Sequence, residues 1–587
     1  MDIKLYGKVP YIVTVDDGDY TVTAELTQKD GVDTVHVVFD SANEMKPPVI
    51  QMDWEIPSVD IQGTWHPVAH TDRSFPCVWS GWRNSAAAYS SPVYCLYSNG
   101  QKNRMTYACS DGMNGIKYRF VLREEDSMWL CGTKLFDEII APLSHYECDF
   151  RIDYRDIRYE DSITEVVRWW AAMPEYTPMA PVDECTHPLY STWYSFHQMA
   201  YGDEIEQVLS DAAPLGFKAV IVDDGWQMES YARNYHDCGD WEVHPAKIKD
   251  MKAHVQRVHE MGYKYYLWYS VPFVGKNSRA YERFKGKYLR DGDTAVVDPR
   301  YPDVREYLIT TYENAVKDWD LDGFKLDFVD NFTQPKEEDP DAAPGKDYVS
   351  VPQAVDRLMT DIKLRLQALK PNIAIEFRQS YVGPLMRKYG NMFRAADCAN
   401  ETVVNKIRTI DTKLCMDNSI VHSDMITWNK DDTPEAIALQ FIGTMFAVPQ
   451  ISVRPGNLPE THRKAMKAWI LQWEVYRETI LTGKFRANNP ELLYTSASVE
   501  SDKQYVCGAY ANGAIIPPPE GDPVRIFIAN GSGEEGVAIK LNNGKGHYCA
   551  IIRDALGDIV CYAGVFKGQV TYLNVPVGGT AELTLQG

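Results

Sequence analysis

Hydrophobic and polar positions alternate in three textures along the chain. In residues 1–175, YIVTV, YTVTAEL, TVHVVF, KYRFVL and FRIDYR place apolar side chains at every second position, with Asp, Gly and Asn turns between them. Short alternating strands of this kind predict a β-sandwich. Residues 489–587 repeat the texture in a smaller unit, with VRIFIAN, GVAIKL, YCAIIRDA, QVTYLNV and TAELTL separated by NGSG, NNGKG and VGG. In residues 176–488, short apolar runs alternate with helical spacing. The predicted strands are STWYSF (191–196), AVIVDD (219–224), KYYLWYS (264–270), GFKLDF (323–328), IAIEFR (373–378), NMFRAA (391–396), SIVHSD (419–424) and PQISVR (449–454). Between them, sets such as Ile205, Val208, Leu209 and Ala212, or Val355, Leu358, Ile362 and Leu366, recur every three to four residues. Pro302 with Asp303, and Thr433 with Pro434, are helix-start pairs. Eight βα units predict a (β/α)₈ barrel. An open doubly wound sheet is the alternative, but no Gly-rich phosphate loop follows the first strand. The expected fold is therefore multidomain α/β: an N-terminal β-sandwich (1–175), a central TIM barrel (176–488) and a small C-terminal β-sandwich (489–587).

Composition narrows the partners. Among 587 residues, 60 Lys and Arg face 82 Asp and Glu, a net charge of −22. Such a surface repels phosphate backbones and anionic lipid, so neither nucleic acid nor membrane is an expected partner. No apolar run reaches the roughly 18 residues of a membrane span. MDIKLYGKVPYIVTVDD lacks the layout of a signal peptide. The 12 cysteines are scattered singly between Cys77 and Cys561 without a CxxC pair, which suits buried thiols and leads to the expectation of a cytoplasmic protein. Aromatic residues make up 12% of the chain, a level that serves either stacking on flat apolar ligand faces or plain core.

A barrel of this kind carries its chemistry at the C-terminal ends of its strands. There the sequence places Asp223, Asp224 and Trp226 on the second strand, Lys325, Asp327 and then Asp330 on the fourth, and Glu376 and Arg378 on the fifth. Arg394 and Asp397 end the sixth strand, and His422 and Asp424 the seventh. Any single Asp at a βα turn is as readily a helix cap. Acidic ends on five of eight strands weigh against that reading for the set. Lys325 and Asp327, two residues apart, point to one side of their strand, and a buried Lys/Asp pair asks for a polar cavity. Two carboxylates beside aromatic platforms suit glycosidic bond cleavage, in which one protonates the leaving oxygen and the other stabilises or attacks the oxocarbenium-like carbon. Metal-assisted hydrolysis through His422, Asp424, Asp223 and Asp224 is the rival, weakened by the lack of a second His at a strand end. No GxSxG turn supports a Ser nucleophile.

VIVDDGWQ, CGDWEV with Lys247, LWYSVPF, and VVDPRYPDVREYL leading into DGFKLDF occur in order between about residues 185 and 430. Together they resemble glycoside hydrolase family 36, the melibiase-type α-galactosidases of clan D, whose three-domain layout also fits the flanking sandwiches. The resemblance implies a retaining exo-α-glycosidase, best an α-galactosidase, with Asp327 as nucleophile and Asp397 as acid/base, and Asp424 as the reserve for that second role. It implies that Asp223 and Asp224 hold the sugar's 4- and 6-hydroxyls, that Lys325 and Arg394 bind the ring, and that Trp193, Trp226 and Trp268 stand at the pocket, with buttressing of the Asp pair as the alternative for Trp226. Trp65, in GTWHP, is expected to project over it from the N-terminal unit. No metal or organic cofactor is implied. The partner is an oligosaccharide or glycoside, and a homo-oligomer is left open because trimers and tetramers occur in the family. Two departures concern the sugar. Ser270-Val271-Pro272-Phe273 replaces the Glu-Pro-Glu of larger members, and the fifth strand offers Glu376 and Arg378 where the family usually presents a Cys. Hence α-N-acetylgalactosaminide, α-glucoside, α-xyloside, galactosyl transfer or a non-catalytic sugar-binding barrel stay as alternatives.

Overall fold

A computed structural model describes residues 1–228, 231, 233–543 and 546–586. The alternation of Pro10–Val15, in which Tyr11, Val13 and Val15 are buried and their neighbours exposed, recurs through two six-stranded sheets. One begins with Asp2–Tyr6 and Pro10–Val15, the other with Thr21–Lys29 and Val32–Met45, and neighbouring strands run antiparallel. Period-two side chains give each sheet one apolar face. Between those faces Tyr11, Val37, Trp54, Tyr107, Phe120 and Trp129 form a core. The span Tyr159–Ala171, read from sequence as part of the strand texture, is a helix. Its buried Ile163, Val166, Val167 and Trp170 fall on one helical face.

The central unit is a parallel eight-stranded barrel. Its strands are β1 (Leu189–Ser191), β2 (Ala219–Val222), β3 (Lys264–Ser270), β4 (Gly323–Asp327), β5 (Ala374–Arg378), β6 (Met392–Arg394), β7 (Ile420–His422) and β8 (Gln450–Ile451). The helices that follow them in turn are α1 (Gly202–Ala212), α2 (Met251–Glu260), α3 (Pro302–Trp319), α4 (Val351–Leu369), α5 (Pro384–Tyr389), α6 (Thr402–Met416), α7 (Pro434–Thr444) and α8 (Glu460–Thr482). Paired in the order β7-β6-β5-β4-β3-β2-β1-β8, the sheet closes where Val448 N–H donates to Val421 and Ser423 N–H to Val448. Helix starts follow the sequence signals: Thr433 Oγ accepts from Ala436 N–H at 3.3 Å, and Asp250 caps α2 through Ala253 N–H at 3.0 Å. The run STWYSF is not a strand. β1 ends at Ser191, and Trp193–Phe196 is a single helical turn after it.

Strand parity sorts the barrel interior into layers. Leu189, Ala219, Ile221, Tyr266, Ala374 and Met392 form an apolar floor. Gly323 is the small position beside it, where a Cβ would lie 2.6 Å from the Tyr266 ring and 2.7 Å from the Ala374 carbonyl. Two residues along each strand come Ser191, Asp223, Trp268, Lys325, Glu376, Arg394 and His422, all buried. The alternation that makes the floor greasy makes the next layer polar.

A seven-stranded sheet opening with Lys484–Asn488 and a three-stranded sheet (Ile515–Ile516, Val537–Lys540, Val570–Leu573) form the C-terminal unit around Ile526, Ile528, Tyr548, Ile552 and Leu583. The three units meet at Asp411 of α6, whose carboxylate accepts from Trp65 Nε1 (3.0 Å), Arg73 Nη2 (3.0 Å) and Tyr494 Oη (2.5 Å). Among the described residues no helix is long and apolar enough to cross a membrane.

Candidate active site

Asp327, the last residue of β4, is 6% exposed, and both of its oxygens are engaged. Oδ1 accepts from Arg378 Nε at 2.8 Å, Tyr381 Oη at 2.9 Å and the Phe328 N–H at 2.8 Å, whereas among the described residues Oδ2 accepts only from Trp268 Nε1 at 3.1 Å. Burial is the largest influence on this carboxyl and pushes its pKa up. The cations Arg378, Lys325 and Arg394 together outweigh it and hold the group well below the usual carboxylate range. Asp327 is therefore ionised wherever the protein is folded near neutral pH.

Two residues back on the same face, Lys325 reaches across to Asp223 Oδ2 at 2.6 Å. Burial depresses the ammonium pKa, but Asp223, Asp327 and Glu376 reverse the sign, so the net shift is upward. Asp223 and Asp224 both lie inside, 2% and 1% exposed, and differ in environment. Asp224 takes its hydrogen bonds from neutral amides, Gln198 Nε2 and Gln227 Nε2, each at 2.7 Å. Burial pushes its pKa up to about 6. The glycine of the DDGW run has a steric cause: Gly225 holds φ at 114°, and a Cβ there would come 2.5 Å from Gln198 Cα. Lys247 supports the same segment, donating to the Gln198 carbonyl at 2.9 Å. In the GDW run Asp240 caps the helix Arg279–Arg283 through two backbone N–H groups, and Trp241 packs on Trp226, Trp268 and Tyr269.

On the opposite side Arg394 of β6 distributes its guanidinium over three carboxylates. Nη2 donates to Asp397 Oδ1 at 2.9 Å, Nη1 to Asp424 Oδ1, and Nε lies 3.6 Å from Glu376 Oε1. These carboxylates differ sharply in access. The Asp397 side chain is 56% exposed, and its pKa is drawn down: burial pushes it up, and Arg394 and Lys325 more than cancel that. Asp424 is fully enclosed, with Oδ2 accepting from Tyr194 Oη (2.8 Å) and Cys398 N–H (2.7 Å), and burial pushes its pKa up. Glu376, 1% exposed, accepts from Gln450 Nε2, and burial raises its pKa to about 7. His422 donates Nε2–H to the Cys185 carbonyl at 2.9 Å, and burial lowers its pKa to about 3, so it is a neutral packing residue. Among the described residues no group of three or more His, Cys, Asp or Glu converges as a metal would require.

The structure thus brings together Asp223, Asp224, Trp268, Lys325, Asp327, Arg378, Arg394 and Asp397. Two of the expected aromatics stand elsewhere. Trp65 is 0% exposed and donates to Asp411 at the junction of the three units, because its strand, Gly63–Trp65, pairs with Val93–Tyr97 and packs beside the turn Pro490–Leu492 of the C-terminal unit. Trp226 is likewise 0% exposed; packed on Trp241, Tyr269 and Trp319 and donating to the Trp268 carbonyl at 3.0 Å, it backs the pocket from outside. Trp193, in the turn after β1, is half-buried with its ring centroid 3.9 Å from that of His197. Tyr381, Tyr194, Gln198 and Gln450 carry no sequence signal of their own. Only Gln227, adjoining the DDGW run, could have been singled out by position.

Fold and site define a barrel protein with a buried, cation-held Asp at the end of β4, facing an open Asp at the end of β6. The family model of Melibiase matches residues 183–483, just over half of the chain, and the chain belongs to that family. It is 23% identical over 343 residues to "Alpha-galactosidase 2" of Pediococcus pentosaceus, a match that covers 55% of this chain and 46% of that protein. The chain therefore spans about half the length of that curated relative, and less of others. Among solved structures, an α-galactosidase from Lactobacillus brevis superposes with a TM-score of 0.68 at 14% identity, over 98% of this chain and 86% of that one. A variant of the GH36 α-galactosidase AgaA from Geobacillus stearothermophilus, in complex with raffinose, gives 0.64 at 15%, over 99% and 83%. At these identities the likeness is one of fold.

Proposed function

We propose that this chain is a retaining, exo-acting α-galactosidase. Asp327 attacks the anomeric carbon through Oδ2, and Asp397 protonates the departing glycosidic oxygen, then takes a proton from the water that cleaves the glycosyl ester. Asp223, Asp224, Lys325 and Arg394 bind the ring hydroxyls by charge-assisted hydrogen bonds, with Trp268 as a wall. One contrast supports this assignment above all: Asp327 is buried and held ionised by cations, while Asp397 is 56% exposed on the same Arg394 that anchors the sealed Asp424. An acid/base must meet both leaving group and water, which Asp397 can do and Asp424, with its oxygens taken by protein donors, cannot; because Arg394 and Lys325 hold Asp397 ionised in the free site, it must gain its proton as the glycoside binds. Family membership and the names of the relatives supply the galactose. The test is Asp327→Ala assayed against a panel of nitrophenyl α-glycosides beside the parent protein. The parent should prefer the α-galactoside, and the variant should lose activity on every member while remaining folded by circular dichroism, with a thermal midpoint lowered by the loss of the carboxylate that pairs with Arg378. Wild-type turnover by the variant would remove Asp327 from the mechanism. Preference for another ring would move the substrate within the clan.

A further inference from the structure

The four hydrogen bonds on Asp327 are unequally shared. Oδ1 receives three, from Arg378, Tyr381 and the Phe328 N–H, and Oδ2 one, from Trp268. Arg378 and Tyr381 come from the end of β5 and the turn beyond it, where Arg378 is fixed by a second bond, Nη1 to the Gln379 carbonyl at 2.9 Å, and by the rings of Phe328 and Tyr381 beneath its guanidinium. Tyr381 is 0% exposed, so its hydroxyl is delivered to Oδ1 by packing rather than by chance orientation. A carboxylate oxygen offers about two lone-pair sites, so three donors leave Oδ1 saturated, whereas Oδ2 with one donor keeps an open lone pair.

We propose that Arg378 and Tyr381 are positioning residues that hold Oδ1 as the non-reacting oxygen of Asp327 and chiefly accelerate the second, ester-cleaving half of the reaction. This rests on the reading of Asp327 as nucleophile. In the first half, the C1–Oδ2 bond forms as the C1–glycosidic oxygen bond breaks, and that oxygen takes the proton of Asp397. Oδ1 is then an ester carbonyl, a weaker acceptor than a carboxylate oxygen, so the bonds from Arg378 and Tyr381 loosen. In the second half, water bonds to C1 and gives a proton to Asp397, while the C1–Oδ2 pair returns to the carboxylate. Charge reappears on Oδ1 against two donors already in place, an arrangement that costs no reorganisation as the ester breaks. The pair thus taxes nucleophilic attack slightly and favours departure. It stands on the strand where this sequence departs from the Cys usual in the family it resembles.

The experiment compares the parent with Arg378→Met and Tyr381→Phe on an aryl α-galactoside with a good leaving group, where deglycosylation limits kcat. Loss of a charge-assisted donor in the departing step should lower kcat about 10- to 100-fold for Arg378→Met and roughly 10-fold for Tyr381→Phe. KM should fall with it, so that kcat/KM changes far less. A pre-steady-state burst of one phenolate per site should appear, with a galactosyl ester on the Asp327 peptide by mass spectrometry. The groups facing Asp327 are the cations Lys325, Arg378 and Arg394 and the acids Asp330, Tyr381 and Asp397. Removing one of three cations should also move the acid limb of kcat/KM upward in Arg378→Met and little in Tyr381→Phe. Equal falls in kcat and kcat/KM, with no burst and no trapped ester, would overturn the proposal. So would parent-like kinetics in both variants. Asp327→Ala separates the layers: if it is inactive while both clamp variants behave as the parent, only the clamp is wrong, and if it is active the nucleophile assignment itself is wrong.

Discussion

Trp268 donates its indole N–H to Oδ2 of Asp327 over 3.1 Å. Register makes the contact: Trp268 on β3 and Lys325 on β4 are parallel partners, so the indole stands one inward step below the carboxylate and reaches up to it. Trp268→Phe keeps the aromatic wall and removes this donor alone. We expect kcat/KM to fall roughly 10-fold from the loss of a hydrogen bond to a charged group, with the acid limb of its pH profile displaced upward and the thermal midpoint nearly unchanged.

Asp397 and Asp424 share Arg394 but should fail differently. Asp397→Asn should leave the fold intact and depress turnover most for substrates with poor leaving groups, because only those need the proton. Asp424→Asn strips a buried, 1%-exposed guanidinium of a charged partner. Breaking such a pair costs up to about 3–5 kcal/mol, so its signature is a thermal midpoint lower by several degrees. Calorimetry of both variants beside leaving-group kinetics checks the pair; a stable but inactive Asp424→Asn would exchange their roles.

Glu376 gives the stability of the fold a pH dependence. Its folded pKa of about 7 lies above the ordinary glutamate value of 4.5, so the folded state holds a proton that the unfolded chain releases. For a raised carboxyl, stability declines as pH climbs between those values. The effect is at most on the order of 3 kcal/mol from this shift. Asp327 works in the opposite sense: its depressed pKa stabilises the fold above the unfolded value and is lost as the solution turns acid. The thermal midpoint of the parent minus that of Glu376→Gln should therefore fall from pH 5 to about 7.5 and then level. A flat difference would mean Glu376 is ionised throughout.

Asp411→Ala should disconnect the units without touching the pocket. The substitution leaves Arg73, 6% exposed at its side chain, without its carboxylate, and it removes the acceptor of Trp65 and Tyr494. A buried charge so abandoned costs about 3–5 kcal/mol. Limited proteolysis should cut the chain near residues 66–73 earlier than in the parent, while Asp411→Asn, which retains acceptor capacity, should be milder.

The contrast between Lys325 and Trp65 marks how far pattern reading reaches. Lys325 and Asp327 were legible together because strand side chains repeat every second residue, and an apolar strand that carries a charge at that interval must face a polar interior. Helix starts at Pro302 and Thr433 were legible because caps are local chemistry. Trp65 was not: a tryptophan in a loop-like run is equally suited to a pocket or to a junction, and only the docking of one unit on another decides. Trp193 shows the same limit within one element, since STWYSF alternates like a strand yet turns into a helix after Ser191.

By itself, the sequence determined the three textures, the eight βα units, the family and the set of charged residues at the strand ends, because all of these depend on periodicity, local capping or the order of short motifs. Only the tertiary structure decided which of those charges are free to act. Whether Asp397 or Asp424 is open, which oxygen of Asp327 is spare, and that Arg378 and Tyr381 occupy the other one are matters of distance between residues remote in the chain. Burial and hydrogen-bond partners give identical carboxylates different chemistry, and no spacing along one strand encodes what approaches it from the next.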